Sequence, residues 1–233
     1  MNTSRWVRPT VVTQAAALFS ACTIAMNAGF LIALYNRLPD LLVVHFMRNG
    51  FPNGFQYKTW PRVMMPVFVQ LALLLTLGLV ALLLLSRPHG EHDDEAPDVR
   101  AAATAAEAVA VLGLIWILVQ AAGAFAITRM WQRQIPRLEG FGLAEMIGIA
   151  LTVGVGFRAN RRLGRPDPRP FVPEHWRYGQ LYKNPADPAL FVPTRNGARW
   201  TLNFGRPVAA ALMGVILIVG IVAPALILGL SLR

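Results

Sequence analysis

The loop between residues 36 and 62 carries the side chains that come closest to a binding constellation. His45 and Asp40 could form a polar pair or share a metal ion, since imidazole and carboxylate groups are both metal ligands. One His and one carboxylate are too few for a metal site, so no metal is predicted. Pro and Gly residues bend the backbone repeatedly around them. The candidate contacts to an extracytoplasmic peptide or small ligand are Asp40, His45, Asn53 and Lys58.

The same loop also fits a simpler role as a cap at the membrane interface. Aromatic side chains favour headgroup depth, because their rings are partly apolar and partly polar. The loop carries four of them: Phe46, Phe55, Tyr57 and Trp60. The ligand site and the cap therefore both remain open from the sequence.

Two carboxylates stand inside apolar stretches, where an ionisable group is costly and becomes a functional candidate. Glu145 shares a helical face with the small residues Gly148 and Thr152, so we expect it to point into a helix bundle. There it would form either an ion pair with Arg129, Arg133 or Arg137, or a proton or cation site. Glu107 lies nearer the boundary of its stretch. Polar residues expected to hydrogen-bond between helices are Asn27, Gln70 and Gln120.

The segment 87–100 contains a dense run of potential metal ligands from His89 to Glu95. It lacks the helical context and the His spacing of a zinc-hydrolase motif, so we interpret it as a hydrated acidic connector. We also find no phosphate-binding glycine loop, no nucleophile with its base and no paired catalytic carboxylates. No enzymatic activity and no cofactor are predicted.

The segment 158–207 begins with an extended basic and Pro-rich stretch and ends with a hairpin signal. Residues 190–195 and 198–204 read as strands joined by Asn196-Gly197, a pair typical of a type I′ turn. We expect this unit either to dock at the membrane interface or to bind a cytoplasmic protein partner. Its candidate residues are Tyr182, Asn184, Asp187, Arg195, Trp200 and Asn203.

These side chains belong to a chain that composition places in a membrane. Of its 233 residues 55% are hydrophobic and only 15% are charged, and the mean hydropathy is +0.46. About 20 mainly apolar residues are needed to cross a bilayer. The predicted fold is an all-α transmembrane bundle of five spans with a small Pro-rich and β-hairpin insert between the last two. The spans cover about 11–35, 63–85, 101–128, 140–157 and 208–233, with an outer loop at 36–62 and the insert at 158–207.

Orientation follows from the Lys and Arg residues, which are retained in the cytoplasm when they occur in short loops. If the N-terminus is cytoplasmic and the C-terminus outside, the larger share of the 22 basic residues lies on the cytoplasmic side, so we predict this orientation. The net charge of +10 reflects this flanking pattern, so nucleic-acid binding is not predicted. The cluster Arg158, Arg161, Arg162 and Arg165 is expected to meet anionic lipid headgroups.

Two segments resemble known families. The stretch Leu38-Pro39-Asp40, His45-Phe46, Gly50, Pro52-Asn53-Gly54 and Lys58 resembles the domain of unknown function 1648 of SdpI-like bacterial immunity and signalling proteins. The stretch from Trp176 to Pro207 resembles the domain of unknown function 5808, through Asn184-Pro185, Asp187-Pro188 and Trp200-Thr201-Leu202-Asn203-Phe204-Gly205. The resemblance implies a multi-pass protein of a bacterial cytoplasmic membrane and implies no reaction.

Three hypotheses follow. The first is a non-enzymatic immunity or signalling protein with a ligand at the 36–62 loop and a partner at the 158–207 insert. The second is a small transporter or channel component, formed as a homo-oligomer around Glu145. The third is a scaffolding subunit of a membrane complex.

Overall fold

The computed structural model describes residues 6–47, 49–86, 96–138, 140–167 and 169–218. Along these residues the helices and strands follow in the order α1 (Val11–Leu34), β1 (Leu41–Phe46), β2 (Pro52–Tyr57), α2 (Trp60–Val63), α3 (Met65–Leu85), α4 (Pro97–Trp131), α5 (Phe141–Leu163), β3 (Trp176–Arg177), β4 (Leu181–Tyr182), β5 (Phe191–Pro193), β6 (Trp200–Leu202) and α6 (Pro207–Leu217). Single turns of 3₁₀ helix cover Tyr35–Arg37 and Pro173–His175.

Four helices in the described part are long and apolar enough to cross a bilayer: α1, α3, α4 and α5. They confirm the first four predicted spans as helices and fit a multi-pass membrane protein. Large apolar side chains remain exposed along them, as lipid contact requires. Of the predicted fifth span, α6 covers the beginning, and the part beyond residue 218 lies outside the described residues. The acidic run from His89 to Glu95 lies outside them as well.

The chain divides into two compact units. Among the described residues, one contains those within 1–13, 79–109 and 157–233, and the other contains those within 14–78 and 110–156. The core of the first unit contains parts of α3, α4, α6 and residues 176–207, which we call the hairpin segment. Its central side chains are Leu84, Ala106, Leu190 and Leu212. The core of the second unit joins α1, α4 and β1 around Leu31, Ile117, Leu42 and Trp131.

The described strands form three antiparallel pairs, β1 with β2, β3 with β4, and β5 with β6. The β5–β6 pair confirms the predicted hairpin of the insert, but the predicted type I′ turn at Asn196-Gly197 is wrong. That turn needs a positive φ at both residues, and of these two only Gly197 has one. A longer loop is closed instead by the hydrogen bond from the Thr194 N–H to the Arg199 carbonyl at 2.8 Å. Both positive φ angles occur together at Tyr178-Gly179, which joins β3 to β4.

Candidate functional site

A cavity of about 510 Å³ lies beside the β1–β2 hairpin in the second unit. Its volume falls within the usual range of small-molecule sites, which are mostly apolar with a few polar groups. β1, α3, α4 and the start of α5 supply its walls. The apolar lining includes Val44, Phe46, Met65, Val69, Ala124, Ile127, Trp131 and Phe141.

Four polar side chains also line the cavity: His45, Gln56, Arg62 and Gln120. Within the described residues, no hydrogen-bond partner is found for the side chains of His45, Gln56 or Gln120. Arg62 donates through Nη1 to the carbonyl oxygen of Tyr57, which leaves its other N–H groups available. Because these residues line an otherwise apolar space, the cavity can hold an apolar body and hydrogen-bond its polar end.

Gly54 determines where the imidazole of His45 lies. The two residues are opposite each other in the β1–β2 register, next to an irregularity that follows Val43. A Cβ atom on Gly54 would stand 2.8 Å from the Cβ of His45 and 3.1 Å from its Cδ2. Any larger residue would therefore displace the ring, so the glycine of Asn53-Gly54 serves inside a strand and not as a turn former.

Two contacts hold the hairpin in place. The Trp131 indole N–H donates to the carbonyl oxygen of Val43 at 2.8 Å, which ties β1 to the end of α4. At the hairpin tip, the Leu138 N–H donates to the Gly50 carbonyl at 2.9 Å. The hairpin is thus attached to the α4–α5 region at Val43 within β1 and at Gly50 in its tip, so the cavity wall is preformed.

The other predicted ligand contacts of this loop do not line the cavity. Asp40 forms an ion pair with Lys58 at 3.6 Å, so the predicted pair between Asp40 and His45 is wrong. Lys58 also donates to the Leu38 carbonyl at 2.8 Å and lies over the ring of Tyr35. Asn53 is exposed on β2. Asp40 and Lys58 thus pair with each other at the base of the hairpin, whereas His45 lies further along β1.

The polar contacts predicted between helices are confirmed for Asn27 and Gln70. Asn27 donates through Nδ2 to Oε1 of Gln70 at 2.8 Å, and Gln70 donates through Nε2 to the carbonyl oxygen of Ile117 at 3.0 Å. Both side chains are buried, and the relay joins α1, α3 and α4. Gln120, predicted to act in the same way, faces the cavity instead.

Glu107 is a buried charged node of the first unit. It pairs with Arg162 through Oε1, and Arg158 approaches the same oxygen at 3.5 Å. Thr10 donates to Oε2 at 2.8 Å and also accepts the N–H of Thr13, which caps the first turn of α1. The carboxylate therefore joins α1, α4 and α5, a role that its position near a span boundary did not indicate.

Glu145 is exposed, so its predicted inward orientation is wrong. The neighbouring Gly148 does contact another helix, since a Cβ there would stand 2.7 Å from a methyl group of Val119. Gly148 is the one buried residue described on α5. The face of α5 that contacts another helix is thus narrower than the small residues Gly148 and Thr152 predict. This contact face does not include Glu145.

The hairpin segment is organised by the buried side chain of Asn203. Its Nδ2 donates to the carbonyl oxygens of Asn184, Asp187 and Ala189 at 2.8–3.2 Å, and its Oδ1 accepts the N–H groups of Asn184 and Gly205. A Cβ on Gly205 would stand 2.4 Å from the carbonyl carbon of Asn184. These residues form a backbone clamp and present no reactive group.

The remaining candidates of the segment surround this clamp. Asp187 accepts hydrogen bonds from the Tyr182 hydroxyl and from Arg169, both at 3.0 Å. Burial raises the pKa of Tyr182, and the nearby carboxylate of Asp187 adds to that shift. Trp200 donates to the carbonyl oxygen of Leu163 at 3.1 Å, and the Arg195 guanidinium stacks on Phe171.

Comparison with known families gives one match, to a family of unknown function (DUF5808) over residues 185–209. The predicted resemblance is confirmed for this stretch, which contains Asn203, Gly205 and most of the clamp. Searches of curated proteins and of solved structures found no match. The resemblance of the 36–62 loop to the domain of unknown function 1648 stays a prediction. The matched part of the chain thus coincides with a structural motif and leaves the activity open.

Proposed function

We propose that the chain is a non-enzymatic membrane protein of the SdpI-like immunity or signalling type that binds an extracytoplasmic ligand beside its β1–β2 hairpin. The observation that carries this proposal is the apolar cavity of about 510 Å³ with available polar groups on His45, Gln56, Arg62 and Gln120. A hairpin held at Val43 and at its tip makes a preformed wall, which lowers the entropic cost of binding.

The lining favours a small amphipathic ligand or the side chains of a peptide. Arg62 is permanently charged and supports an anionic or carbonyl end, while His45 and Gln56 offer further donors and acceptors from the hairpin. The surrounding apolar walls suit an alkyl or aromatic body. Asp40 and Lys58 neutralise each other outside the cavity, so we assign them to hairpin stability and not to binding.

The proposal includes a membrane topology. Five spans, with the fifth starting near residue 208, would place the N-terminus and residues 158–207 in the bacterial cytoplasm and the hairpin outside. The distribution of Lys and Arg supports this orientation. Exposed rings of Phe55, Tyr57 and Trp60 would then lie at headgroup depth. The hairpin segment would face a cytoplasmic protein partner.

Filling the cavity tests the proposal. Ala124 is buried in its wall, whereas Ala122 is exposed on the same helix, so Ala124→Leu and Ala122→Leu form a matched pair. The probe is a fatty acid with a photoactivatable diazirine, added to the purified full chain in detergent, with crosslinks mapped by mass spectrometry. We expect crosslinks on β1, α3 and α4 that disappear in Ala124→Leu and persist in Ala122→Leu.

Point variants test the polar contacts. Loss of a charge-assisted hydrogen bond in Arg62→Gln should weaken probe binding about tenfold, and Asp40→Asn should leave it unchanged. Crosslinking that survives in Ala124→Leu at the wild-type level would contradict the proposal, because the probe would then be bound elsewhere.

The transporter hypothesis has less support. It needs Glu145 inside a helix bundle, and this side chain is exposed, so a second copy of the chain would have to cover it. Flux of protons or cations through proteoliposomes that is lost in Glu145→Gln would support it. Co-purification of a larger assembly in mild detergent, without binding of the probe, would favour the scaffolding role.

A further inference from the structure

A second concave surface, in the first unit, lies where α5 ends. It encloses about 640 Å³ between the last turn of α5 and the β5–β6 hairpin. Three arginines line it, Arg161, Arg165 and Arg199, together with Asn160 and Trp200. Arg199 comes from the hairpin loop, Arg161 from the last turn of α5 and Arg165 from just beyond that helix, so the fold brings together charges that are distant in sequence.

These three arginines have no carboxylate partner within the described ranges. The contrast with their neighbours is direct, since Arg158 and Arg162 are engaged by the buried Glu107. Arg161 makes only a cation–π contact with Phe157 among the described side chains. The basic cluster predicted from the sequence is therefore divided into one pair that neutralises a protein carboxylate and one group that faces open space.

A hydrogen bond fixes the two sides of this groove to each other. The Trp200 indole donates to the carbonyl oxygen of Leu163 at 3.1 Å, which ties the hairpin to the end of α5. Leu163 is the last residue of a helix long and apolar enough to span a bilayer. The groove thus starts where such a helix leaves the hydrocarbon, which is the depth at which phospholipid phosphates and Trp side chains concentrate.

From these observations we propose that the groove binds the phosphate of an anionic phospholipid headgroup. Guanidinium groups donate paired hydrogen bonds to phosphate oxygens and remain charged at every physiological pH. Arginines from two elements would clamp one phosphate, while the lipid tails lie along the exposed apolar surface of α5. This site is separate from the cavity beside the β1–β2 hairpin and does not depend on the function proposed for it.

Lipid retention on the purified full chain tests the site. The variant Arg161→Gln/Arg165→Gln/Arg199→Gln is compared with Arg8→Gln/Arg100→Gln/Arg177→Gln, which removes the same charge from exposed arginines elsewhere. Phosphatidylglycerol and phosphatidylcholine are added separately in detergent, and bound lipid is counted by native mass spectrometry. We expect wild type and the control variant to retain phosphatidylglycerol in preference to phosphatidylcholine, and the groove variant to bind phosphatidylglycerol at least about tenfold more weakly.

The remaining outcomes are decisive against the site. Equal loss of lipid in both triple variants would show general charge attraction. Retention by the groove variant would place the lipid elsewhere. Inorganic phosphate that competes as well as the lipid would assign the groove to a soluble anion. Circular dichroism of each variant shows whether the helices persist. If the groove variant has unfolded, Arg199→Gln alone replaces it. In that variant the preference for phosphatidylglycerol over phosphatidylcholine must be lower than in wild type.

Discussion

The N–H of Leu138 donates to the carbonyl oxygen of Gly50 at 2.9 Å, so the tip of the β1–β2 hairpin is attached to the segment between α4 and α5. Gly50 has a φ of +82°, and a Cβ atom there would stand 2.8 Å from the carbonyl oxygen of Leu138. The glycine therefore satisfies a conformational and a steric requirement at once.

Replacement of this glycine separates the two requirements. Gly140 has a similar φ of +79° but open space around its Cβ position. Gly140→Ala should cost about 1 kcal/mol of unfolding free energy, the conformational penalty alone. Gly50→Ala should cost about 2 kcal/mol or more, because the tip must also move away from Leu138. Denaturant titration in detergent measures both, and equal losses would contradict the steric role.

Mutating the two partners of the Glu107–Arg162 ion pair should cost different amounts of unfolding free energy. Arg162→Gln leaves the buried carboxylate with Thr10 and the more distant Arg158, and we expect a loss of about 2 kcal/mol. Glu107→Gln should cost less, about 1 kcal/mol, because both arginines are half-exposed and can turn to water. Arg100→Gln, an exposed control on α4, should change little. Denaturant titration in detergent measures the unfolding free energy of each variant. A larger loss of unfolding free energy for Glu107→Gln than for Arg162→Gln would contradict this description.

Loss of the Asn203 side chain should loosen the hairpin segment. Asn203→Ala removes the partner of five backbone groups, one of them in a buried and four in part-buried hydrogen bonds, at a cost of about 3 kcal/mol. Hydrogen exchange gives a local measurement, because the amide protons of Asn184 and Gly205 bond directly to the Asn203 Oδ1 and should lose protection. Asn196→Ala, in the exposed loop of the β5–β6 hairpin, should leave both amides protected. Unchanged protection in Asn203→Ala would refute the clamp.

Tyr182 should make the protein sensitive to alkaline pH. Burial raises its pKa above the ordinary value of 10.0, so the folded state favours the protonated hydroxyl. This contribution to stability is fully present below pH 10.0 and is lost as the pH rises through the folded pKa. Tyr182→Phe should flatten the fall of the unfolding midpoint above that pH. Tyr178→Phe, at a side chain that is 95% exposed, should keep the wild-type profile, and identical profiles for both variants would exclude the effect.

Some of the candidate site could be predicted and some could not. His45 was found because an imidazole among turn formers is conspicuous in an apolar chain. The wall around it is not predictable, since Met65, Gln120 and Phe141 come from three helices that are far apart in sequence. The run Leu41–Phe46 has the β-branched composition of a strand and could have indicated the hairpin. The pair Asn53-Gly54, which is typical of a turn, predicts a bend at a position that lies inside β2.

The sequence by itself determined the four long helices and the β5–β6 hairpin, because these depend on apolar length and on local turn chemistry. It could not decide which carboxylate is enclosed. Glu107 and Glu145 each stand alone among apolar neighbours, yet Glu107 is buried beside two arginines while Glu145 is exposed. Burial of a side chain on an apolar helix depends on which helix packs against it and how closely, and only the tertiary structure specifies that contact.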